Sequence, residues 1–373
     1  MESTAHLGAI VTWSGFVLAF IFGAVGMKAN FCTMGAVSDI VNIGDWGRMR
    51  MWLLAIAVAI IGAHILEYTG LIDLSKSIYP RPDFIWLSYI VGGFLFGVGM
   101  TLGSGCGSRT LMRIGGGNMK SVIVFVFLAI SAYMTLRGLF GLWRVEFLQP
   151  VAVNLSAYGF AGQDIASLLT KMTGVAKPLL DIIIASIFAA ALLIFVFVSR
   201  DFRRHGEYIL GGVVIGLVVV AGWYLIAHIG YQDNPDTLEK TFFGTQTNVA
   251  ESFSFVAPLA YTLQLLMLWT DSSLHFNFDI AIVVGMIAGA FAYAVFSRTF
   301  RWESFADVKD LGAHMLGGTL MGFGGVTALG CTIGQGISGF STLAVGSIMT
   351  FLSIIAGAAL TMKYQYWRLM REA

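Results

Sequence analysis

The sequence predicts an all-α polytopic membrane protein with about nine transmembrane helices, extra re-entrant or short helices, and an inverted internal repeat in a 4+1+4 scheme. Three observations carry this. Of 373 residues, 57% are hydrophobic and 12% charged, where soluble domains carry about 25% charged residues; mean hydropathy is +0.80. The apolar residues fall in runs of about 20, the length a helix needs to cross a bilayer. A glycine-rich stretch recurs at a constant offset. This composition excludes a soluble enzyme, a disordered chain and a nucleic-acid binder, and a net charge of +1 implies no polyanionic partner.

In chain order the expected spans are 8–27, 51–72, 84–103, 120–140, 178–199, 208–229, 278–297, 312–329 and 342–362. No small-residue cleavage site follows the first of them, so it reads as a span and not a removable leader. A tenth apolar piece, 253–270, begins with Ser and Phe, carries Pro258, and reads as a span, a re-entrant element or an interfacial helix. The period-2 alternation of a membrane β-barrel is absent.

Charge orients the set. The turn 200–207 carries three arginines and belongs on the cytoplasmic side, with the basic loops 109–120 and 298–301 and the C-terminal Lys363, Arg368 and Arg371. The stretch 230–251, with Asp233, Asp236, Glu239 and Glu251 against one lysine, suits the outside. Trp46, Trp52, Trp302 and Trp367 near span ends read as an aromatic belt.

Residues 92–106 and 317–331 share seven of fifteen positions at an offset of 225, among them Gly92/Gly317, Gly93/Gly318, Gly97/Gly322, Gly99/Gly324 and Cys106/Cys331. A weaker copy ends at Cys32, and GGVVIG at 211–216 keeps the glycines without a cysteine. Matching spans lie five apart, an odd number, so the halves should have opposite topology, which is a transporter signature. The chain is then one integral membrane domain, 1–373, with pseudo-repeats at about 8–140 and 208–362 linked by 141–207. Small residues at G-x-x-x-G spacing serve helix packing. That does not account for Gly103, Gly105 and Gly107 around Cys106, where a helix should break.

The three cysteines sit in Asn30-Phe31-Cys32-Thr33-Met34-Gly35, in Gly103-Ser104-Gly105-Cys106-Gly107-Ser108-Arg109 and in Leu329-Gly330-Cys331-Thr332-Ile333-Gly334-Gln335-Gly336. They are too far apart for a C-x-x-C metal pair, so neither a metal nor a cofactor is expected. Glycine frees the backbone to leave the helix and aim its N–H groups at an anion. Asn30, Ser104, Ser108, Thr332 and Gln335 add neutral donors, which replace hydration without burying formal charge. A thiol is a weak, polarizable donor suited to a sulfur-bearing ligand, and a nucleophile if it ionises; a lone cysteine is otherwise a small hydrophobe.

These motifs, in this order within a polytopic glycine-rich frame, resemble the YeeE/YedE (sulfur transport) inner-membrane family over about residues 15–362. The resemblance implies a bacterial inner-membrane importer of thiosulfate or a related sulfur or selenium species. It also implies that Cys32, Cys106 and Cys331 line a narrow path and that a cytosolic sulfur carrier of TusA-like type is a partner; the motifs themselves add the backbone at Gly105, Gly107 and Gly330 to that path. The stretches 141–177 and 230–277 look longer than a minimal frame needs.

Arg109 and Arg113 read either as attractors of an anion at the pore mouth or as ordinary inside-loop charges. His64 and Glu67, one turn apart, read as a proton relay or as interfacial groups. Asp181 reads as a helix N-terminal acid, and His314 as opening the eighth span. No Walker motif is present. The leading expectation is import of a thiosulfate-type anion through several modest sites in series. Two others stand beside it: a membrane sulfurtransferase carrying a cysteine persulfide, which lacks an adjacent base, and a passive channel for another small solute.

Overall fold

In lipid every backbone polar group must find its partner inside the segment, so an apolar run becomes a helix. The computed structural model describes residues 2–233, 239–305 and 307–372; Asp236 of the acidic stretch lies outside them. The long helices are α1 (Glu2–Lys28), α3 (Gly47–Tyr68), α4 (Trp86–Leu102), α6 (Met119–Arg137), α9 (Lys177–Val198), α11 (Gly206–Tyr224), α13 (Phe278–Phe296), α14 (Val308–Thr327) and α15 (Val345–Glu372). Shorter ones are α2 (Thr33–Ile43), α5 (Gly107–Gly115), α7 (Leu139–Trp143), α8 (Ile165–Thr173), α10 (Arg200–Arg204) and α12 (Ala257–Met267). Among the described residues, eight helical segments are long and apolar enough to cross a membrane. The ninth long helix, α14, falls short in hydropathy because glycines and His314 dilute its apolar residues. The chain is thus an all-α, multi-pass membrane protein.

The tenth apolar piece yields only the 11-residue α12, about 16 Å at 1.5 Å per residue and too short to span. Two small antiparallel pairs, Asp83–Phe84 with Val153–Asn154 and Tyr231–Asp233 with Lys240–Phe242, close loops.

Packing follows the repeat. The chief helix pairs are α1 with α13, α3 with α11, α4 with α15, α6 with α14, and α4 with α14. Exchanging α1, α3, α4 and α6 for α11, α13, α14 and α15 turns the first pair into the second and the third into the fourth. It returns α4/α14 to itself. Glycines make that last crossing close: a methyl at Gly92 would lie 2.7 Å from the Gly324 carbonyl oxygen, and one at Gly99 2.7 Å from that of Gly317. Moving forward along α4 therefore moves backward along α14, so the two repeat members run antiparallel. Gly97 lets α15 approach, since its methyl would meet the Ile354 oxygen at 2.2 Å, and Gly322 does the same for α6 at Leu128. The fifth span, α9, stands apart against α3 and leaves Ile187, Ile194 and Val198 largely exposed, as a lipid-facing helix does.

The aromatic belt needs one correction. Trp46, Trp302 and Trp367 are exposed, but Trp52 is fully buried. Its face of α3 turns to the centre of the bundle, where the indole stacks on Phe31 at 4.5 Å and on Phe351 at 6.0 Å between centroids.

Candidate functional site

Each cysteine follows the same local device. Helices α1, α4 and α14 end with Asn30, Ser104 and Leu329 in the left-handed conformation, at φ 51°, 57° and 58°. Behind each runs a pair of closing bonds: Asn30 N–H to Met27 and Phe31 N–H to Gly26; Ser104 to Thr101 and Gly105 to Met100; Leu329 to Val326 and Gly330 to Gly325. This is the Schellman termination. The cysteine comes two residues after the left-handed position, in all three cases. A non-glycine residue thus takes each turn, and for Leu329 that strain costs about 1 kcal/mol or more; beside it Gly330, at φ 157°, supplies unusual backbone as expected.

The glycines also serve close approach. Methyls at Gly105 and Gly330 would press on the Arg109 and Gln335 side chains, and one at Gly107 would lie 3.0 Å from the Phe255 oxygen. Cys32 and Cys106 then cap the N-termini of α2 and α5, where unpaired N–H groups and the helix dipole favour an anion. The Gly35 N–H donates to Cys32 Sγ and the Gly334 N–H to Cys331 Sγ, both at 3.4 Å, while Cys106 Sγ lies 3.4 Å from Ser108 Oγ.

Tertiary packing brings the three loops together. All three thiols are free and buried. Cys106 lies beside Cys32 on one side and beside the Thr332 hydroxyl, next to Cys331, on the other. Several donors around them are buried without a partner among the described residues: the hydroxyls of Thr33, Thr332 and Tyr79, the indole N–H of Trp52, and Nη1 of Arg109. Gln335 gives its amide to the Ala328 carbonyl at 2.6 Å and leaves its oxygen unpaired. Rings of Phe22, Phe31, Phe253 and Phe255 pack against one another around this line, giving it dry walls.

Arg109 and Arg113 are structural as well as charged. Arg109 Nη2 reaches Asn30 Oδ1 at 3.2 Å, and Arg113 Nη1 takes the Ser104 carbonyl at 2.8 Å. Together with Arg48 and Arg301 they line a cavity of about 420 Å³ that reaches Cys32 and holds one carboxylate, Glu303. Arg48 also pairs with Asp39 through two hydrogen bonds.

Two contributors were not legible as site residues. Arg48 reads in the sequence as one more loop charge. The stretch 251–256, inside what looked like surplus chain, is buried from end to end without regular structure. The Phe255 N–H reaches the Cys331 thiol, Ser254 lies against Gly334, and Ser338 Oγ donates to the Phe253 carbonyl at 2.8 Å. His64 lies elsewhere, 3.5 Å from Glu67 and in a separate cavity with Asp73, Lys177 and Asp181. Asp181 is one turn inside α9, and His314 one turn and more inside α14, its Nδ1 2.8 Å from the Asp310 carbonyl.

The profile of the sulphur transport family matches residues 28–360, which takes in all three cysteine loops. The chain belongs to the sulphur transport family. Similar proteins within it include the thiosulfate transporter TsuA of Spirochaeta thermophila, 27% identical over 355 residues that cover 92% of this chain and 96% of that protein. The thiosulfate transporter TsuA of Escherichia coli is 27% identical over 335 residues, 87% of this chain and 86% of its own. For a sulphur transport protein, the approach of Cys106 to both Cys32 and the Cys331 loop is the feature that calls for a role.

Proposed function

We propose that the protein imports thiosulfate, or a closely related sulfur anion, across a bacterial inner membrane along the line Cys331, Cys106, Cys32. The observation that carries this reading is the succession of three buried thiols with unpaired neutral donors beside them. Each thiol offers a weak S–H donor to the anion's oxygens or terminal sulfur, and Thr33, Thr332 and the α2 and α5 N-termini supplement it. Neutral donors hold a dianion without a buried counter-charge, and several sites of similar modest strength let it pass on. The names of the two relatives support the choice of anion.

The arginine cavity below Cys32 serves as the cytoplasmic exit, in keeping with the positive-inside rule. There the anion leaves the protein, or passes to a TusA-like sulfur carrier. The pseudo-repeats 8–140 and 208–362, within one domain, frame the path. The protein acts as a transporter and not as an enzyme. Inward movement works against an inside-negative potential by about 2.3 kcal/mol per charge per 100 mV, so uptake needs a coupled ion or rapid consumption of the product.

Labelled thiosulfate uptake into liposomes holding the purified protein tests the reading. Cys106→Ala and Cys331→Ala should each abolish it. Undiminished uptake by both variants would overturn the cysteine path, and a stable added sulfur atom on Cys106 or Cys331 during turnover would favour a sulfurtransferase.

A further inference from the structure

The buried stretch 251–256 begins on a carboxyl that the anion path does not use. Glu251 is 6% exposed, and Asp279, at the start of α13, is 2% exposed. Two consecutive residues, Gln246 and Thr247, hold the two carboxyls in one neighbourhood, where the charge of Asp279 bears on Glu251. Thr247 Oγ1 donates to Glu251 Oε1 at 2.6 Å, and the Gln246 N–H donates to Asp279 Oδ2 at 2.8 Å. Among the described residues no lysine, arginine or histidine forms a salt bridge with either. The titratable groups that face the pair are two phenols, Tyr261 of α12 and Tyr79 in the connection before α4. Arg137, at the end of α6, acts on Tyr261; with Arg81 it lines an adjoining cavity of about 690 Å³.

Two neighbouring carboxylates out of water, with no cation, cannot both stay ionised. The pair therefore keeps a proton near neutral pH. Each carboxyl accepts one hydrogen bond, so the charge environment decides which of them holds the proton, and it falls to Glu251. Burial and the Asp279 carboxylate push Glu251 up to about 8. The position gives that proton a consequence. Glu251 opens the stretch whose Phe255 N–H meets Cys331 and whose Phe255 carbonyl lies against Gly107, beside Cys106. Tyr79 feels both Glu251 and Cys331.

We propose that the Glu251–Asp279 pair is a proton site that couples anion uptake to inward proton movement. A proton enters through the cavity bearing Arg81 and Arg137 and neutralises Glu251. The stretch 251–256 then keeps its buried place against the Cys331 and Cys106 loops. Loss of the proton leaves two adjacent buried charges, which drives the stretch away from α13 and resets the loops. One proton travelling with a dianion halves the charge moved against the potential. This inference rests on the reading of the chain as a sulfur-anion importer.

Purified protein in liposomes, with the membrane potential clamped at zero, tests it. Thiosulfate added outside should make the outer medium more alkaline, and an acid-outside gradient should raise uptake several-fold. Glu251→Gln, shown to be folded by its melting transition, should lose both responses. Infrared spectra need no transport at all: the wild type should show a protonated-carboxyl band at neutral pH that is missing from E251Q. Wild-type uptake indifferent to the gradient, E251Q retaining both responses, or absence of the band would overturn the proposal. Failure of the wild type to move thiosulfate under any gradient would overturn the import reading instead, and the infrared band would still decide whether the pair is protonated.

Discussion

Arg109 Nη2 donates to Asn30 Oδ1 at 3.2 Å, so the helix that follows Cys106 is tied to the turn that precedes Cys32. The bond joins residues 79 apart in sequence and sets two thiol loops against each other. A hydrogen bond to a charged group contributes roughly 1.5 kcal/mol or more, about tenfold in a rate that depends on it. Arg109→Ala and Asn30→Ala should each slow thiosulfate uptake by about that factor, Arg109→Ala more so, because it also removes the unpaired Nη1. The double variant should fall well short of the product of the two effects. Initial uptake rates measure this, and full additivity would show that the two residues act independently.

Trp52 stacks between Phe31 and Phe351 while its indole N–H has no partner among the described residues. An unpaired buried donor disfavours the fold, so Trp52→Phe should leave the melting temperature level or raise it. It should nonetheless weaken uptake several-fold if that N–H serves the passing anion. Comparing melting curves with the concentration dependence of uptake separates the two effects.

Close helix crossings should not tolerate a methyl group. At Gly97 and Gly289 it would lie 2.2 Å and 2.0 Å from the carbonyl oxygens of Ile354 and Phe20, whereas at Gly312 it meets nothing within 4 Å. Overpacking of this kind costs roughly 1–3 kcal/mol. Gly97→Ala and Gly289→Ala should each lower the melting temperature in detergent by several degrees, and Gly312→Ala should not lower it.

The raised Glu251 gives stability a defined pH dependence. Its folded value, about 8, lies above the ordinary carboxyl value of 4.5. Between those limits the folded state holds a proton that the unfolded chain has released, so this contribution is full below about 4.5 and is lost as pH rises to about 8. Melting temperatures of the wild type should fall across that interval, and E251Q should flatten the decline.

Much of the fold could be read before any coordinates. All nine expected spans appear as long helices, though α15 runs ten residues past the expected end at 362 and α1 begins six before 8, because helix formation in lipid is a local demand on each run of about 20 residues. The recurrence of Gly92 and Gly99 at Gly317 and Gly324 marked helices that pack closely; that the two cross each other came only with the structure. The site was only half legible. Cys32, Cys106 and Cys331 stood out by their repeated surroundings, but Trp52 looked like a belt residue and 251–256 like surplus chain. Nothing local marks them, since Trp52 is placed by stacking across the bundle and the buried stretch by loops more than 70 residues away.

By itself, then, the sequence determined the class of protein, the course of its long helices and the three points where helices break at a cysteine. Each of these depends on residues within one or two turns of one another. Tertiary structure decided that the breaks meet, that Arg48 and Arg301 join Arg109 and Arg113 around one cavity, and that Glu251 and Asp279 are buried in one neighbourhood, held by Thr247 and Gln246. Those are encounters between elements far apart in the chain, and only the packing of the helices brings them within a few ångströms.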